Sequence, residues 1–358
     1  MPGADYRWTW IKRVFILPIL IPIFIPIPYL KIMKTTQIPT LSVVVPAYNE
    51  QEVLPAFHDR LIKALEGLPY SLEVVYVNDG STDNTLQIME NLYSKDGHVA
   101  LVDLSRNFGK EIALSAGLHK ATGDAVVVID ADLQDPPELI PELVNEWNNG
   151  FDVVYARRSQ RKGETWIKKI TAACFYRIMQ KVSRVKIPKD TGDFRLMSRR
   201  AVDALNTLTE QHRFMKGLFA WIGYKQKAVY YDRDQRFAGK TKWNYWKLWN
   251  FALDGITSFT TAPLKFSTYI GFATASLSFF YGIFMLVRTL IYGNPVAGYP
   301  SLIVIILFLG GVQLMSIGIV GEYIGRIFNE TKQRPLYFLN YYKERSENKN
   351  DTSLAENE

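Results

Sequence analysis

The sequence predicts an α/β unit, built on a mostly parallel sheet with helices on both faces, followed by a pair of membrane-spanning helices. Two observations carry this expectation. Between residues 41 and 156, short Val/Ile-rich runs alternate with stretches of helical periodicity, the pattern of strands buried on both faces. Beyond Lys265, two long stretches are interrupted by one charge, Arg288. The 358 residues accommodate about two units at roughly 150 residues each. With 48% hydrophobic and 22% charged residues the chain is not a disordered one. A single cysteine, Cys174, excludes an intramolecular disulfide and a Cys-built zinc site. The four scattered histidines do not suggest a His-rich metal site either.

Residues 1–40 form an apolar, Pro-rich leader to which no function is assigned. Val14 to Leu30 carries no charge but includes Pro18, Pro22, Pro26 and Pro28, and a proline inside a helix costs about 3 kcal/mol. Strands are expected at Leu41–Pro46, Leu72–Val77, Val99–Leu104, Ala125–Ile129 and Asp152–Ala156. Helices are expected near 50–66, 84–94, 109–121 and 138–149. Ligands of such sheets bind outside the carboxyl ends of the strands. There the sequence places Ala47-Tyr48-Asn49-Glu50, then Asn78-Asp79-Gly80-Ser81-Thr82-Asp83, then Asp130-Ala131-Asp132-Leu133-Gln134-Asp135. Asp83 alone reads as the cap of the helix after it.

Carboxylates gathered at one edge repel and need a counter-charge. Asp130 and Asp132 lie two residues apart, on one side of an extended chain, where they can share a hard cation such as Mg²⁺ or Mn²⁺. Magnesium is commonly held by one or two carboxylates together with substrate phosphates, so the expected ligand is a diphosphate. No G-x-G-x-x-G occurs. Gly239-Lys240-Thr241 has the form of a P-loop tail, but the earlier glycine such a loop needs would be residue 234, which is Asp234.

The chain after residue 156 turns basic. Residues 157–200 hold 14 Lys/Arg against Glu164, Asp190 and Asp193, a net of 14 − 3 = +11, whereas the whole chain carries +7. Trp166, Ile167, Ile170, Cys174 and Ile178 recur there at helical spacing beside Lys168, Lys169, Arg177 and Lys181, as in a basic helix lying in a membrane interface. Trp243, Trp246 and Trp249 form an aromatic row just before the apolar stretches. Nucleic acid, the other partner of a basic stripe, is not expected beside a membrane hairpin. Residues 266–287 and 289–321 carry no charge, and about 20 apolar residues span a bilayer as a helix. Turn signals at Gly293-Asn294-Pro295 and Gly298-Tyr299-Pro300 divide the region into helices at about 266–288 and 301–323. Basic residues flank the hairpin on both sides and the connection holds only Arg288. The large unit is therefore expected in the cytoplasm, on a multi-pass protein of the plasma (inner) membrane. Gly310-Gly311, Gly318 and Gly321 suit helix packing within or between chains and leave a homo-oligomer open.

Taken in order, Val43 to Glu50, Val77 to Asp83, Arg106-Asn107-Phe108-Gly109-Lys110, Asp130 to Glu138, Gly192-Asp193-Phe194-Arg195 and Arg236 to Lys242 resemble glycosyltransferase family 2. With the hairpin they are similar to its polyprenyl-phosphate branch, that of the dolichyl-phosphate-mannose-synthase-like and bactoprenol glucosyltransferase enzymes. The resemblance covers about residues 40–340. It implies a Rossmann-like GT-A catalytic core over 41–200 and an acceptor-side and interfacial region with an active-site loop over 157–262. It further implies a transmembrane hairpin over 263–326 and a cytoplasmic tail over 327–358.

The same resemblance implies site roles. Pro46, Tyr48, Glu50 and Asp79 would bind the donor's base and ribose. Asp130 and Asp132 would bind the metal and diphosphate with Gln134 close by. Arg236 and Lys240 would lie on a loop that closes over the donor, and Arg157, Arg158 and Lys168 would meet the acceptor phosphate. Asp132, Asp193 and Arg157 are the candidate catalytic residues, Asp193 as a base or sugar contact. The expected reaction is inverting transfer of a sugar, preferably from UDP-glucose and alternatively from GDP-mannose, to polyprenyl phosphate. A processive polysaccharide synthase would be expected to carry Gln-x-x-Arg-Trp, where this chain has Gln211-His212-Arg213-Phe214. A non-catalytic nucleotide-sugar sensor would not need both Asp130 and Asp132.

Overall fold

The computed structural model describes residues 38–159, 188, 191–232, 260–293 and 298–346. The leader, the expected interfacial helix with Lys168, the loop with Arg236 and Lys240, and the Trp row lie outside the described residues. The five expected strands are β1 (Thr40–Ala47), β2 (Ser71–Asn78), β3 (Val99–Leu104), β4 (Ala125–Val128) and β5 (Val153–Arg158). Between them run α1 (Leu54–Leu65), α2 (Thr85–Lys95), α3 (Lys110–Lys120) and α4 (Ile140–Asn148). Three further strands follow: β6 (Thr191–Ser198), β7 (Gln226–Tyr231) and β8 (Leu339–Lys343), with α5 (Arg199–Asn206) and α6 (Met215–Trp221) between the first two. All eight strands join one sheet in the order β7-β5-β6-β4-β1-β2-β3-β8.

The sheet is mixed. β1 pairs in parallel with β2 and β4, β2 with β3, and β5 with β7, whereas β6 runs antiparallel to β4 and β5, and β8 antiparallel to β3. The expected sheet, mostly parallel, is thus met in its first four strands and corrected by β6 and β8. Neither strand has the Val/Ile signature: β6 reads Thr-Gly-Asp-Phe-Arg-Leu-Met-Ser and β8 lies in the expected tail.

Why the first strands read as continuous apolar runs is clear from their packing. Val43 and Val45 face a core with Phe57, Leu61, Met89 and Leu143, while Val44 faces a second core with Leu114, Val202 and Leu218. Successive residues point to opposite faces, and both faces are covered. α1 begins with Pro55 in its first turn, where no amide hydrogen is missed, and buries Leu54, Phe57, His58, Leu61 and Leu65 along one stripe. α3 lies closest to the sheet. A Cβ on Gly117 would stand 2.3 Å from Val44 Cγ1 and 2.9 Å from Val77 Cγ2.

The two charge-free stretches are helices of 31 and 33 residues, α7 (Ala262–Tyr292) and α8 (Tyr299–Thr331). At 1.5 Å per residue both exceed a bilayer core of about 30 Å. Their large apolar side chains lie open, with Phe272 75% and Leu290 78% exposed. Each helix outruns its expected bounds because backbone hydrogen bonding continues past the apolar stretch, where Glu322 and Arg326 pair one turn apart at 3.1 Å. Tyr323 Oη donates to the Thr260 carbonyl at 2.7 Å and ties the two helices at their charged end. Within the expected tail, residues 339–343 return to the sheet as β8.

Gly117→Ala is expected to destabilise the sheet unit by about 1–3 kcal/mol, since neither valine can withdraw from a filled core. Thermal unfolding of the detergent-solubilised protein checks this; an unchanged midpoint would contradict the close approach of α3.

Candidate active site

Three turns meet at the carboxyl ends of β1, β2 and β4. The first two are laced together. Asn49 N–H donates to Ser81 Oγ at 3.1 Å, Asn49 Oδ1 accepts the Thr82 amide at 2.8 Å, and Glu50 N–H donates to Thr85 Oγ1 at 2.9 Å. Asp83 accepts the Thr85 amide at 3.0 Å from the position before the N-cap, which is Asn84 and not the expected Asp83, and no side chain caps α2 from that position. Asn49 and Leu133 have φ of 54° and 55°, the left-handed region that non-glycine residues rarely enter. Both lie in turns of this edge, where surrounding contacts hold the strain.

Asp79 is buried, 3% exposed. Its carboxylate accepts the Phe108 amide at 2.7 Å and the Gly109 amide at 3.0 Å. Burial raises its pKa and these two amides oppose the rise. Asp79 therefore organises the loop that leads into α3. Gly80, with φ of 61°, packs so closely on that loop that a Cβ would stand 2.4 Å from the Arg106 carbonyl carbon and the Asn107 nitrogen.

The loop delivers Lys110 to the centre of the site. Lys110 Nζ donates to Asp130 Oδ2 at 2.7 Å and to Asp193 Oδ2 at 2.6 Å. The register explains the meeting. Val128 of β4 stands opposite Arg195 of the antiparallel β6, so two residues further along, Asp130 faces Asp193. Burial works against the Lys110 charge, but the two carboxylates outweigh it and hold the ammonium protonated well above its ordinary range. Burial raises the Asp130 pKa, with Lys110 pulling the other way. For Asp193 burial also acts upward, yet Lys110 and Lys216 prevail and hold it below the ordinary carboxylate range. Asp193 Oδ1 is buried and has no hydrogen-bond partner among the described residues.

Behind this group sit the buried Arg195 and the half-buried Glu111. Arg195 donates to the Gly192 and Asp193 carbonyls at 2.9 and 3.2 Å and lies over the Phe219 ring at 3.6 Å. Burial lowers its pKa to about 10 against the opposing pull of Asp193 and Glu111. Glu111 accepts the Met215 amide at 3.2 Å. Burial and the neighbouring Asp193 push its carboxyl up to about 7, while Lys110 and Lys216 restrain the rise.

The other expected site residues are placed as follows. Asp132 Oδ1 accepts the Gln134 amide at 3.1 Å, within their shared turn. Pro46 pairs with Val77 near the end of β1, and the half-buried Tyr48 and Glu50 follow it at the same edge. Arg157 and Arg158 are adjacent on β5, opposite Tyr230 and Tyr231 of β7. Arg157 Nη1 donates to Tyr230 Oη at 3.4 Å, and Tyr230 is 61% exposed. Tyr231 Oη donates to the buried Asp135. A Cβ on Gly192 would stand 3.7 Å from both Arg158 Nη2 and Asp135 Oδ2, so Arg158 lies against the residue beside Asp193. The two arginines thus keep different company, as alternation along a strand requires.

As a metal site, the edge offers hard carboxylate oxygens only. Two of them converge on one cation, the Lys110 ammonium, and the orphaned Asp193 Oδ1 is a further acceptor. Among the described residues no three His, Cys, Asp or Glu side chains are grouped to hold a metal by themselves. The expected metal pair, Asp130 and Asp132, offers the hard oxygens a divalent ion needs, but among the described residues no contact brings the two together: Asp130 meets Lys110, and Asp132 accepts the Gln134 amide.

Comparison with known proteins assigns the chain to a family. The glycosyl transferase family 2 profile matches residues 42–205, from β1 through α5, and the GtrB C-terminal hairpin profile matches residues 262–327. An uncharacterized glycosyltransferase of Synechocystis is 55% identical over 299 residues, 84% of this chain and 94% of that protein. The chain belongs to glycosyl transferase family 2. Bactoprenol glucosyl transferase of Shigella phage SfV is 51% identical over 305 residues, 85% of this chain and 99% of that protein. A prophage bactoprenol glucosyl transferase homolog of Escherichia coli K12 is 50% identical over 303 residues, with the same coverage of 85% and 99%.

For this family 2 enzyme, sequence reasoning found the aspartates and missed their partners. Lys110 stood inside a matched motif with no role, and Glu111 and Arg195 had none. The Gln211-His212-Arg213-Phe214 stretch docks the hairpin: Gln211 N–H donates to Glu330 Oε1 at 2.9 Å and His212 Nε2 meets Asn329 Nδ2 at 3.0 Å.

Lys110→Met is expected to lower turnover by about 10²–10³-fold, the cost of removing one preorganised charge from a transition-state site; steady-state rates of the folded variant check this. Glu111 supplies a pH signature. Its folded-state pKa of about 7 lies above the ordinary 4.5, so the native state binds the extra proton and stability falls as pH rises between those values. Glu111→Gln is expected to flatten that decline in thermal midpoint, and an unaltered slope would contradict the raised carboxyl pKa.

Proposed function

We propose that the chain is a membrane-bound inverting glycosyltransferase that moves glucose from UDP-glucose onto polyprenyl phosphate, releasing UDP. The observation that carries the reading is the Asp130–Lys110–Asp193 cluster at the carboxyl end of the sheet, on a chain that continues into two membrane-length helices. The names of the phage and prophage relatives support glucose as the sugar and bactoprenol as the lipid. Basic flanks on both sides of the hairpin support a cytoplasmic catalytic unit in the plasma membrane.

The donor's base and ribose bind along the Pro46–Glu50 and Asp79–Ser81 turns, with Asp79 fixing the loop that forms the wall between them and Lys110. Asp130 and Asp132 hold Mg²⁺ or Mn²⁺ together with the donor diphosphate, Gln134 close by. When bound, the ion supplies Lewis-acid stabilisation of the departing diphosphate. Lys110 adds a fixed positive charge beside the same leaving group. Asp193, held below the ordinary carboxylate range, is a weak proton acceptor. It keeps Lys110 in place. A strong base is unnecessary, because the acceptor phosphate arrives already ionised. Arg157 and Arg158 receive that phosphate, and guanidinium groups match its oxygens in forked geometry. Arg236, Lys240 and Lys168 complete the donor and acceptor sides in this reading. The attacking phosphate oxygen forms its bond to the anomeric carbon as the bond to the UDP oxygen breaks, inverting that carbon.

The test is UDP release and glucolipid formation by the full-length protein in lipid nanodiscs, with UDP-glucose and undecaprenyl phosphate. Release is expected only with both substrates and a divalent cation. Release without dependence on the acceptor, or a preference for GDP-mannose, would overturn the assignment. Asp132→Asn is expected to abolish turnover and weaken metal-dependent donor binding. Arg157→Ala and Arg158→Ala are expected to raise the acceptor KM by about tenfold, the cost of one charge-assisted hydrogen bond of about 1.5 kcal/mol, with a smaller change for the donor.

A further inference from the structure

The chain that leaves the membrane hairpin returns to the donor side of the sheet by a continuous polar route. After α8 ends at Thr331, the Phe338 carbonyl accepts the Ser105 amide at 2.9 Å, and Tyr337 Oη meets His119 Nδ1 at 3.0 Å. β8 then pairs with β3. From β8, Asn340 Nδ2 donates to Asp103 Oδ2 at 2.7 Å. Asp103 is 3% exposed, and its other oxygen accepts Asn78 Nδ2 at 2.7 Å. Asn78 in turn accepts the Ser81 amide at 3.1 Å through its own side-chain oxygen. The line runs from Asn340 through Asp103 and Asn78 into the turn that carries Asp79.

Each link is directional. A buried carboxylate demands donors for both oxygens. Asp103 takes one from the donor-side turn and one from β8, so moving either amide strains the other. The turn packs closely on the next loop, since a Cβ on Gly80 would stand 2.4 Å from the Arg106 carbonyl carbon and the Asn107 nitrogen. That backbone continues into Phe108 and Gly109, which hold the Asp79 carboxylate.

We propose that Asn340 is a positioning residue for donor binding: through Asp103 and Asn78 it sets the Asp79–Ser81 turn, so that the donor side is fully ordered only when the segment following the membrane hairpin is docked on β3. The inference rests on the donor-side reading given above. It predicts an effect on nucleotide-sugar affinity from a residue on a strand at the far edge of the sheet.

The test uses the full-length protein in nanodiscs. Asn340→Asp preserves shape but sets a second carboxylate against Asp103. The donor KM is expected to rise at least fivefold, with kcat and acceptor KM within twofold of the parent. Asp103→Asn combined with Asn340→Asp restores a donor–acceptor pair, since the amide introduced at position 103 can accept from Asn78 and donate to the carboxylate introduced at position 340. The paired change is expected to return the donor KM to within twofold. Lys343→Ala, on the same strand but paired with Glu90 at 3.1 Å, is expected to leave the donor KM unchanged. Equal shifts in donor and acceptor KM, a lowered thermal midpoint with unchanged donor KM, or failure of the paired change to restore binding would each overturn the proposal. Asp79→Ala separates the two levels. If it raises the donor KM and Asn340→Asp does not, the coupling fails while the donor side stands. If Asp79→Ala leaves the donor KM unchanged, the donor-side reading fails and the coupling falls with it.

Discussion

Two aspartates facing each other at a sheet edge cannot both remain ionised without a positive charge between them, and Lys110 supplies it at 2.7 and 2.6 Å. Much of the site's construction serves that contact. Asp79 spends its carboxylate on the amides of Phe108 and Gly109, which places the start of α3. Gly117 lets α3 lie against Val44 and Val77, which sets the depth at which Lys110 emerges. Arg195 and Glu111 stand behind the ion cluster, each paired with backbone groups that keep it in place. The result is a group of charges fixed in place before any ligand arrives. Electrostatic stabilisation needs that condition if it is to cost no reorganisation during reaction.

The reversed strand β6 is what brings the cluster together. A purely parallel sheet would align the carboxyl ends of successive strands and collect Asp79, Asp130 and Asp132 there. β6 enters from the opposite direction, between β4 and β5, and presents the start of its sequence at that same edge. Asp193, early in β6, therefore faces Asp130, late in the approach from β4. Neighbouring β5 and β7 carry Arg157 and Arg158 beside Tyr230 and Tyr231. Carboxylates and guanidinium groups consequently occupy adjacent strands of one half of the sheet, with the interlaced turns of β1 and β2 on the other half.

The membrane hairpin is bound to the catalytic unit at two places. Gln211 and His212 hold the end of α8, and β8 extends the sheet beside β3. These contacts fix the end of α8 and the strand after it against the sheet unit, so the apolar helices and the site edge are held together through packed contacts and not by a free linker. Part of the expected tail and the Gln211-His212-Arg213-Phe214 stretch make these contacts.

The apolar runs, the helical periods and the two charge-free stretches were legible as elements because burial on two faces and immersion in lipid impose composition directly. Asp79, Asp130 and Asp132 were legible as residues of one edge because parallel strands deliver their carboxyl ends together. Strands β6 and β8 were not legible, since a strand that buries Asp193 and Arg195 has no apolar signature and one formed from a tail has no local cause. Lys110 shows the same boundary at the level of a single residue. Its sequence neighbours mark a family motif, but its partners, Asp130 and Asp193, lie 20 and 83 positions away. Composition and spacing by themselves determined which chemistry the chain could hold and that it meets a membrane. Tertiary structure decided which charges pair, because that depends on the antiparallel register of β6 against β4, a long-range choice that no local pattern records.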